Sequence, residues 1–155
     1  MPGIVTLLST FRGRISRAQW WAGFVIVLAG SLAGTVLFNP DAFSLDTVPE
    51  PYLPDTFWQI AWLVPGTAIT VKRFNDRNWP WWLGYAVGGI AALAYLLPHF
   101  GLLIDPDLGG FWGALLFWVS LLTLIGAFID NGFLRGTPGP NRYGPDPLAF
   151  ADQPA

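Results

Sequence analysis

The chain contains no cysteine and one histidine among its 155 residues. Without cysteine, disulfides and thiolate-bound metals are excluded. The single histidine, His99, has no plausible second ligand nearby in the sequence, and metal sites draw on several such ligands. Charge is also scarce, because 12% of the residues are charged against about a quarter in soluble proteins. We therefore expect no metal site and no cofactor.

Apolar residues, in contrast, are abundant. They make up 53% of the chain, which includes nine Trp and twelve Phe. Such a composition cannot supply an ordinary soluble surface, and Trp is typical of the boundary between a membrane and water. The net charge of −2 lacks the basic excess of a nucleic-acid binder, so no nucleic-acid partner is expected. The composition predicts an integral membrane protein.

Four stretches without Asp, Glu, Lys or Arg are candidates to cross the bilayer: 20–38, 57–71, 82–98 and 111–129. At 1.5 Å per residue, a nineteen-residue helix covers roughly 29 Å, close to the ~30 Å thickness of the hydrocarbon layer. The two middle stretches are shorter and rely on their flanking Trp and Lys. A soluble bundle would need polar faces at helical spacing, which these stretches lack. The prediction is an all-α integral membrane four-helix bundle made of two hairpins.

The charges indicate the orientation of this bundle. All eight basic residues fall on one side of the predicted membrane: Arg12, Arg14, Arg17, Lys72, Arg73, Arg77, Arg135 and Arg142. The loops on the other side carry only acidic charges: Asp41, Asp46, Glu50, Asp55, Asp105 and Asp107. The positive-inside rule makes the basic side cytoplasmic. The predicted organisation is a cytoplasmic amphipathic segment (1–19), a domain of four transmembrane helices (20–135) and a cytoplasmic tail (136–155).

The start of the first span is marked by Ser16-Arg17-Ala18-Gln19, which fits a capping box. The same region has the alternative interpretation of a signal peptide, with Arg12 to Arg17 as its charged part. Its apolar run exceeds the usual 7 to 15 residues and no clear small-x-small cleavage site follows. We expect a helix that begins near Arg17 and is retained as the first span.

Small residues recur one helical turn apart in Gly30-x-x-x-Gly34 and Gly84-x-x-x-Gly88. Such faces allow helices to approach closely, either in a dimer or within one bundle. Glycine is common in this chain, with 18 residues, which favours packing within the bundle. Pro65 is expected to kink the second span, because proline removes one backbone hydrogen bond.

No catalytic constellation emerges from the sequence. Ser120 lies in mid-span and His99 at the predicted outer edge, so a serine–histidine pair is not expected. No phosphate-binding loop or dinucleotide fingerprint is present, and no charge lies at mid-membrane. We predict no catalytic, cofactor-binding or metal-binding residue, and hence no enzyme.

Three polar signatures flank the spans. They are 11–17 before Trp20-Trp21, 72–77 before Trp81-Trp82, and 139–144 before Asp146-Pro147. In order and spacing they resemble domain-of-unknown-function family 805, a family of small bacterial inner-membrane proteins. The resemblance implies a four-helix fold in the bacterial inner membrane, with N- and C-termini inside, and no established activity. The family's second signature usually reads Arg-Arg-Leu-His-Asp, whereas this chain has Asn75 in place of the histidine. A family mechanism that needs an imidazole would be absent here.

The predicted topology places all three signatures at the cytoplasmic interface. The candidate interface cluster consists of Arg12, Arg14, Arg17, Trp21, Arg73, Asp76, Asp130, Asn141, Arg142 and Tyr143. Arginine presents a fork of donors that suits carboxylates and phosphates alike. The cluster is therefore either a structural clasp that ties the tail to the bundle or a contact for anionic lipid headgroups. Docking to a larger membrane complex is a third use.

Two classes of function stay open. The first is a non-enzymatic accessory, assembly or scaffold subunit that acts through helix packing and the Arg-rich interface. Its partners would be membrane lipids and either a larger membrane-protein complex or a second copy of itself. The alternative is a small transporter or channel component that works as an oligomer. The polar side chains within the spans are few and uncharged, which favours the first class.

Overall fold

The computed structural model describes residues 3–44, 50–101 and 106–149, with the side chains of 106–109 left aside. Of the predicted outer acidic residues, Asp46 and Asp105 therefore lie outside the described part, and so does the side chain of Asp107. The helices are α1 (Ile4–Ser9), α2 (Arg17–Phe38), α3 (Leu53–Asp76), α4 (Trp81–Leu96) and α5 (Pro106–Phe133, with a kink at Gly110). Short 3-10 turns follow α2 and α4. The described ranges contain no β-strand, which confirms the prediction of an all-helical chain.

Three helical segments are long and apolar enough to cross a membrane: Arg17–Phe38, Trp81–Phe100 and Gly110–Phe133. Their outer faces expose large apolar side chains, such as Val25 at 58% and Leu122 at 64%. Continuous apolar surface of this kind is unfavourable in water and suits the hydrocarbon of a bilayer. The fold therefore indicates a membrane protein.

Helix α3 lies among the others and contacts each of them. It holds the predicted span 57–71 but begins at Leu53 and continues through Asp76. The predicted span stops before Lys72, the first charged residue. The helix goes on because the charged side chains of its last turns bind carbonyl and carboxylate groups of other segments, described below. Pro65 lies inside this helix.

The glycine motif of α2 faces α3. A Cβ on Gly30 would lie 2.1 Å from the Trp62 ring, and one on Gly34 would lie 1.9 Å from the Trp58 ring. The Trp58 indole N–H also donates to the Gly30 carbonyl at 2.8 Å. The glycines thus make room for two indole rings within one chain. This surface is used for internal packing rather than left open.

The glycine motif of α4 faces α3 as well. A Cβ on Gly84 would lie 2.7 Å from the Val71 Cα atom, and one on Gly88 would lie 2.4 Å from the Thr67 hydroxyl. The contact at Gly84 joins backbone to backbone, so neither side can rotate away. Both glycine motifs therefore serve packing within the chain, the use that the sequence favoured.

The start of α2 has the predicted capping box. The Ser16 hydroxyl accepts from the Gln19 N–H at 3.3 Å, and the Gln19 side chain accepts from the Ser16 N–H at 2.9 Å. Each interaction satisfies a backbone donor that a helix start leaves free. Just after this cap, the Trp20 ring stacks on Phe24 at 5.2 Å and contacts Phe128 of α5 edge-on at 5.9 Å. The cap and the aromatic contacts position the first turn of α2 against the end of α5.

The short helix α1 is held by Lys72, which is 3% exposed. Its ammonium donates to the Thr6 carbonyl at 3.1 Å and to the Leu7 carbonyl. Cations favour the carboxyl end of a helix, where carbonyl groups lack partners within the helix.

We expect Lys72→Met to release α1 from α3. Methionine keeps the apolar stem but removes the donor, which should lower the free energy of unfolding by about 1–2 kcal/mol. Protease cleavage within residues 4–9 at pH 7 should accelerate. The control is Ser9→Ala, because the exposed Ser9 hydroxyl donates only within α1. Equal cleavage rates in Lys72→Met and the wild type would contradict this anchoring.

Candidate functional site

The candidate site is centred on the carboxylate of Asp76, at the last residue of α3. Arg14 donates to its Oδ1 from Nε at 3.0 Å, with Nη2 at 2.9 Å, and Arg73 Nη1 donates to its Oδ2. The three side chains are 5% (Asp76), 2% (Arg14) and 1% (Arg73) exposed. We call these three residues the Arg/Asp cluster. Two buried cations thus share one carboxylate, and the remaining donors must find other acceptors.

Arg14 directs its remaining donors to the tail. Nη1 donates to the Gly139 carbonyl at 2.7 Å and to the Gly144 carbonyl at 3.2 Å, while Nη2 donates to the Thr137 carbonyl at 2.7 Å. Together with Asp76, these acceptors use every N–H-bearing nitrogen of the guanidinium. Arg14 therefore links the segment before α2 to the C-terminal tail.

Arg73 links α3 to two segments, the residues just before α2 and the end of α5. Its Nε donates to the Asn131 carbonyl at 2.9 Å, its Nη1 to the Ile15 carbonyl at 3.4 Å, and its Nη2 to the Leu134 carbonyl. Asn131 lies in the last turn of α5 and Leu134 directly follows the helix, where main-chain carbonyls need donors.

The tail after α5 is bonded to the end of α3. The Thr137 N–H and hydroxyl both donate to the Asp76 carbonyl, at 2.9 and 2.8 Å. The Asn141 amide donates to the Asn75 carbonyl at 2.9 Å, and the Asn75 amide donates to the Gly13 carbonyl at 3.1 Å. The first part of the tail is therefore ordered against the helices.

The last residues of the third signature bind the loop between α3 and α4. Arg142 Nη2 donates to the carbonyls of Asn78 and Trp79 at 3.0 and 2.9 Å, and the Tyr143 hydroxyl donates to Trp79 at 2.6 Å. The Arg142 guanidinium also lies 4.8 Å from the Tyr143 ring centre. Asn78 has a φ of 60°, a left-handed conformation that Asn tolerates. Arg142 and Tyr143 thus bind a neighbouring loop and do not touch Asp76.

The remaining predicted residues lie at the end of α5 or apart from it. Arg17 donates to the Phe133 carbonyl at 3.1 Å, and Trp21 Nε1 donates to Gly132 at 3.1 Å. Asp130 lies 2.9 Å from Arg77 Nε in a partly exposed ion pair, not beside Asp76. Arg12 is exposed, and the described residues offer its guanidinium no acceptor. The predicted residues are therefore not one cluster. Arg14, Arg73 and Asp76 form the buried cluster, and Arg142 and Tyr143 bind the loop between α3 and α4. Arg17, Trp21 and Asp130 lie at the end of α5.

Several residues of this region are not among the predicted site residues. Thr137 and Gly136 contact Asp76, and Asn131 accepts from Arg73. Each is separated from its partner by about sixty residues along the chain, and no charge marks them. The one available signal was their position between the last span and the third signature.

The tail closes on Asp146, whose carboxylate accepts from the Leu148 and Gly139 N–H groups, each at 2.9 Å. These two backbone donors hold the pKa of the Asp146 carboxyl below its usual value. A lowered pKa means that this contribution is present above about pH 4 and is lost as the pH falls through the lowered value. Asp146 therefore keeps the turn around Gly139 closed at neutral pH.

We expect Gly136→Ala to disturb the Arg/Asp cluster. Its Cβ would lie 1.9 Å from Asp76 Oδ2, so either the carboxylate or the tail must move. The expected loss is about 2 kcal/mol in the free energy of unfolding, as for overpacking elsewhere. The measurement is thermal unfolding followed by size-exclusion chromatography in mild detergent. Gly3→Ala is the control, because Gly3 has a φ of −63° and open space around it; a similar melting temperature in both variants would disagree with this geometry.

A second set of polar side chains lies at the opposite end of the helices. Gln59 donates to the Thr35 hydroxyl at 2.7 Å and to Asp55 at 3.0 Å, and it accepts from Ser31. His99 contacts the Thr56 hydroxyl at 2.7 Å. These side chains satisfy each other between α2, α3 and the end of α4. Among the described residues, no three His, Asp or Glu side chains are placed to hold a metal ion.

The apolar helices and the polar cluster at one end define a small helical membrane protein. The chain belongs to the family described as "Protein of unknown function (DUF805)", whose profile matches residues 8–145. The uncharacterised protein YiiR of Escherichia coli K12 is 31% identical over 143 residues, which cover 90% of this chain and 86% of that relative. YiiR of Escherichia coli O157:H7 matches equally. No solved structure matches the chain.

Proposed function

We propose that this protein is a non-enzymatic accessory, assembly or scaffold subunit of the bacterial inner membrane. The Arg/Asp cluster acts in it as a structural clasp that holds the tail against the helices. The observation that carries the proposal is the set of acceptors of Arg14, which comprises Asp76 and three main-chain carbonyls. A guanidinium surrounded by such acceptors organises the backbone and has no donor left for a substrate.

The proposed membrane arrangement has four spans, with α3 as the fourth and both termini in the cytoplasm. Helix α3 has 24 residues, about 36 Å, which is enough to cross the hydrocarbon layer. Its charged residues and Gln59 lie towards its two ends, and Asp55, Gln59, Lys72 and Arg73 are bonded to neighbouring segments. Reporter fusions after Pro51, Asn78, Gly101 and Pro147 test the topology. We expect outside, inside, outside and inside; an outside result at Pro147 would exclude it.

The clasp supports a basic surface at the same end. Arg12, Arg17, Arg135 and Arg142 are exposed there. The guanidinium groups of Arg12 and Arg135 have no acceptor among the described residues, so they are free to meet anionic headgroups or an acidic partner. We propose this surface as the site through which the subunit meets a larger membrane complex.

The test is a double variant, Arg12→Gln with Arg135→Gln, compared with Glu50→Gln at the other end. Neither change touches the Arg/Asp cluster, so both proteins should unfold at the wild-type temperature. After gentle-detergent purification, the double variant should lose the complex that co-purifies with the wild type, while Glu50→Gln retains it. Retention of the complex by the double variant would refute a role for the basic surface.

The alternative function, a transporter or channel component, has weaker support. A pathway needs polar groups that can exchange partners with a solute, whereas Gln59, Ser31 and Thr35 are bonded to each other. A homo-oligomer with a central pore, seen by electron microscopy of the purified protein, would favour transport over the accessory role.

A further inference from the structure

A cavity of about 260 Å³ lies at the arginine-rich end of the helices, between the start of α2, the end of α3 and the tail. Its wall includes Arg17, the first residue of α2, and Arg135, two residues past the end of α5. Both are exposed, so a molecule outside the protein can reach them. The Arg17 side chain extends to the stretch of chain that carries Arg135, because its Nη1 donates to the Phe133 carbonyl at 3.1 Å. The cavity therefore has two accessible cations in its wall.

These two cations have unused donors. Among the described residues, neither Arg17 nor Arg135 forms an ion pair. The Phe133 carbonyl accepts from one nitrogen of Arg17, and the guanidinium of Arg135 has no acceptor in the described part of the chain. A guanidinium carries five N–H donors. Most donors of Arg17 and all side-chain donors of Arg135 are therefore available to a ligand.

The carboxylates in the same wall are already bonded. Asp76 accepts from both arginines of the Arg/Asp cluster, and Asp146 accepts from two backbone N–H groups of the tail. Neither lies within ion-pair distance of Arg17 or Arg135. With Arg73, three guanidinium groups and two carboxylates line the cavity, which leaves one net positive charge. This wall suits an anion with several acceptor oxygens, such as a phosphate group.

The two arginines lie at the ends of apolar helices. Arg17 is the first residue of the apolar segment Arg17–Phe38, and Arg135 follows the segment Gly110–Phe133 by two residues. In the proposed membrane arrangement, both therefore lie where the hydrocarbon layer ends on the cytoplasmic side. Lipid phosphates occupy this level of a bilayer, and arginines near it attract anionic lipids. Among possible anions, the position favours a lipid headgroup.

A second cavity, of about 370 Å³, adjoins the first and extends towards the membrane interior. The two cavities share Ser16, Arg17 and Leu148, and the second is also lined by Ala18, Trp21 and Gly132. Trp21 satisfies its indole N–H within the protein, by donating to the Gly132 carbonyl, so its ring presents an apolar surface. Ala18 and Trp21 follow Arg17 in the span and so lie deeper than the arginine. The paired cavities fit a molecule with an anionic head and an apolar body.

We propose that Arg17 and Arg135 bind the phosphate of an anionic phospholipid, whose glycerol and first acyl carbons lie against Ala18, Trp21 and Gly132. A zwitterionic phospholipid fits less well, because its ammonium adds a further positive charge beside the two arginines. The inference rests on the proposed function, since both arginines belong to the basic surface proposed to meet a larger complex. The bound lipid would then form part of that surface.

The test is lipid binding to the purified full-length protein, measured by native mass spectrometry without any partner. The probes are dioleoylphosphatidylglycerol and dioleoylphosphatidylethanolamine, which have the same acyl chains. The wild type should bind the glycerol lipid about fivefold more tightly, the effect of roughly one arginine near a membrane surface. Arg135→Gln should reduce this preference to less than about twofold. It should unfold at the wild-type temperature, because its guanidinium has no acceptor among the described residues.

The matched control is Arg12→Gln, which removes the same charge from the same end of the protein. Arg12 is exposed and lines neither cavity, so this variant should keep the wild-type preference. Ala18→Trp should weaken binding of the glycerol lipid several-fold by filling the second cavity. Inorganic phosphate in tenfold excess over the lipid should not displace it, because phosphate has no apolar body to bind there.

Three results would overturn the proposal. Equal affinity of the wild type for the two lipids would exclude recognition of an anionic headgroup. Equal losses in Arg12→Gln and Arg135→Gln would assign the preference to the general charge of the surface. Displacement of the lipid by an equal concentration of inorganic phosphate would assign the cavity to a free anion. Each would leave the proposed function standing, since that is tested separately by the complex that co-purifies with the protein.

Discussion

Replacing Asp76 by alanine is expected to lower the free energy of unfolding by about 3–5 kcal/mol. The change leaves the guanidinium groups of Arg14 and Arg73 buried without a carboxylate, and an uncompensated buried charge is among the most costly defects a protein can contain. The loss is a large fraction of the 5–15 kcal/mol that typically stabilises a folded domain. Thermal unfolding in mild detergent should show a much lower melting temperature and a reduced yield of monodisperse protein.

The matched control for this prediction is Asp130→Asn. Asp130 also faces an arginine at 2.9 Å, but the side chains of that pair are 20% (Arg77) and 16% (Asp130) exposed, so water replaces part of the interaction. We expect a loss of at most about 1 kcal/mol. Similar melting temperatures for Asp76→Ala and Asp130→Asn would show that the Arg/Asp cluster is not a clasp. Wild-type stability of Asp76→Ala with loss of the co-purifying complex would assign Asp76 to the partner site.

Gly84→Ala is expected to separate α3 from α4 and to cost about 3 kcal/mol. The added methyl group would lie 2.7 Å from the Val71 Cα atom and 3.1 Å from its backbone nitrogen. A backbone contact cannot be relieved by a change of rotamer, so the estimate lies at the upper end of the usual range for overpacking. Within the membrane this contact cannot be replaced by the hydrophobic effect, because lipid and helix are equally apolar.

The same substitution five residues later should have the opposite sign. Gly89 lies in α4 on the exposed side, and a Cβ there would meet nothing within 4 Å. Gly89→Ala should raise stability by about 0.5–1 kcal/mol through the helix propensity of alanine. Melting temperatures of the two variants should therefore lie on opposite sides of the wild-type value. If Gly84→Ala is as stable as Gly89→Ala, the close approach of α3 and α4 is wrong.

The local features of the fold were accessible from sequence because their causes are local. The capping box needs only residues Ser16 and Gln19, three positions apart, and the helix begins where it predicts. The apolar runs identify α2, α4 and α5, since membrane spans are set by length and composition. The position of α3 was also accessible, but the predicted span is too short. The hydropathy pattern ends at Lys72, whereas the helix continues to Asp76.

The candidate site was accessible only in part. Charge and family resemblance assembled Arg14, Arg73 and Asp76 as candidates, and the structure brings these three together. The same reasoning grouped Asp130 with them, whereas Asp130, near the end of α5, pairs with Arg77, which directly follows α3. Which carboxylate meets which arginine depends on the rotation of each helix about its axis. Hydropathy and charge counts contain no information on that rotation.

By itself, the sequence determined the solvent in which the chain must fold, the positions of its apolar helices and the concentration of its arginines at one end. Each follows from composition or from contacts within one helical turn. Tertiary structure alone decided that Arg14 meets Asp76, that Arg73 binds the end of α5, and that the tail lies against α3. These contacts join residues about sixty or more positions apart, and only the packing of the helices brings such residues within hydrogen-bonding distance.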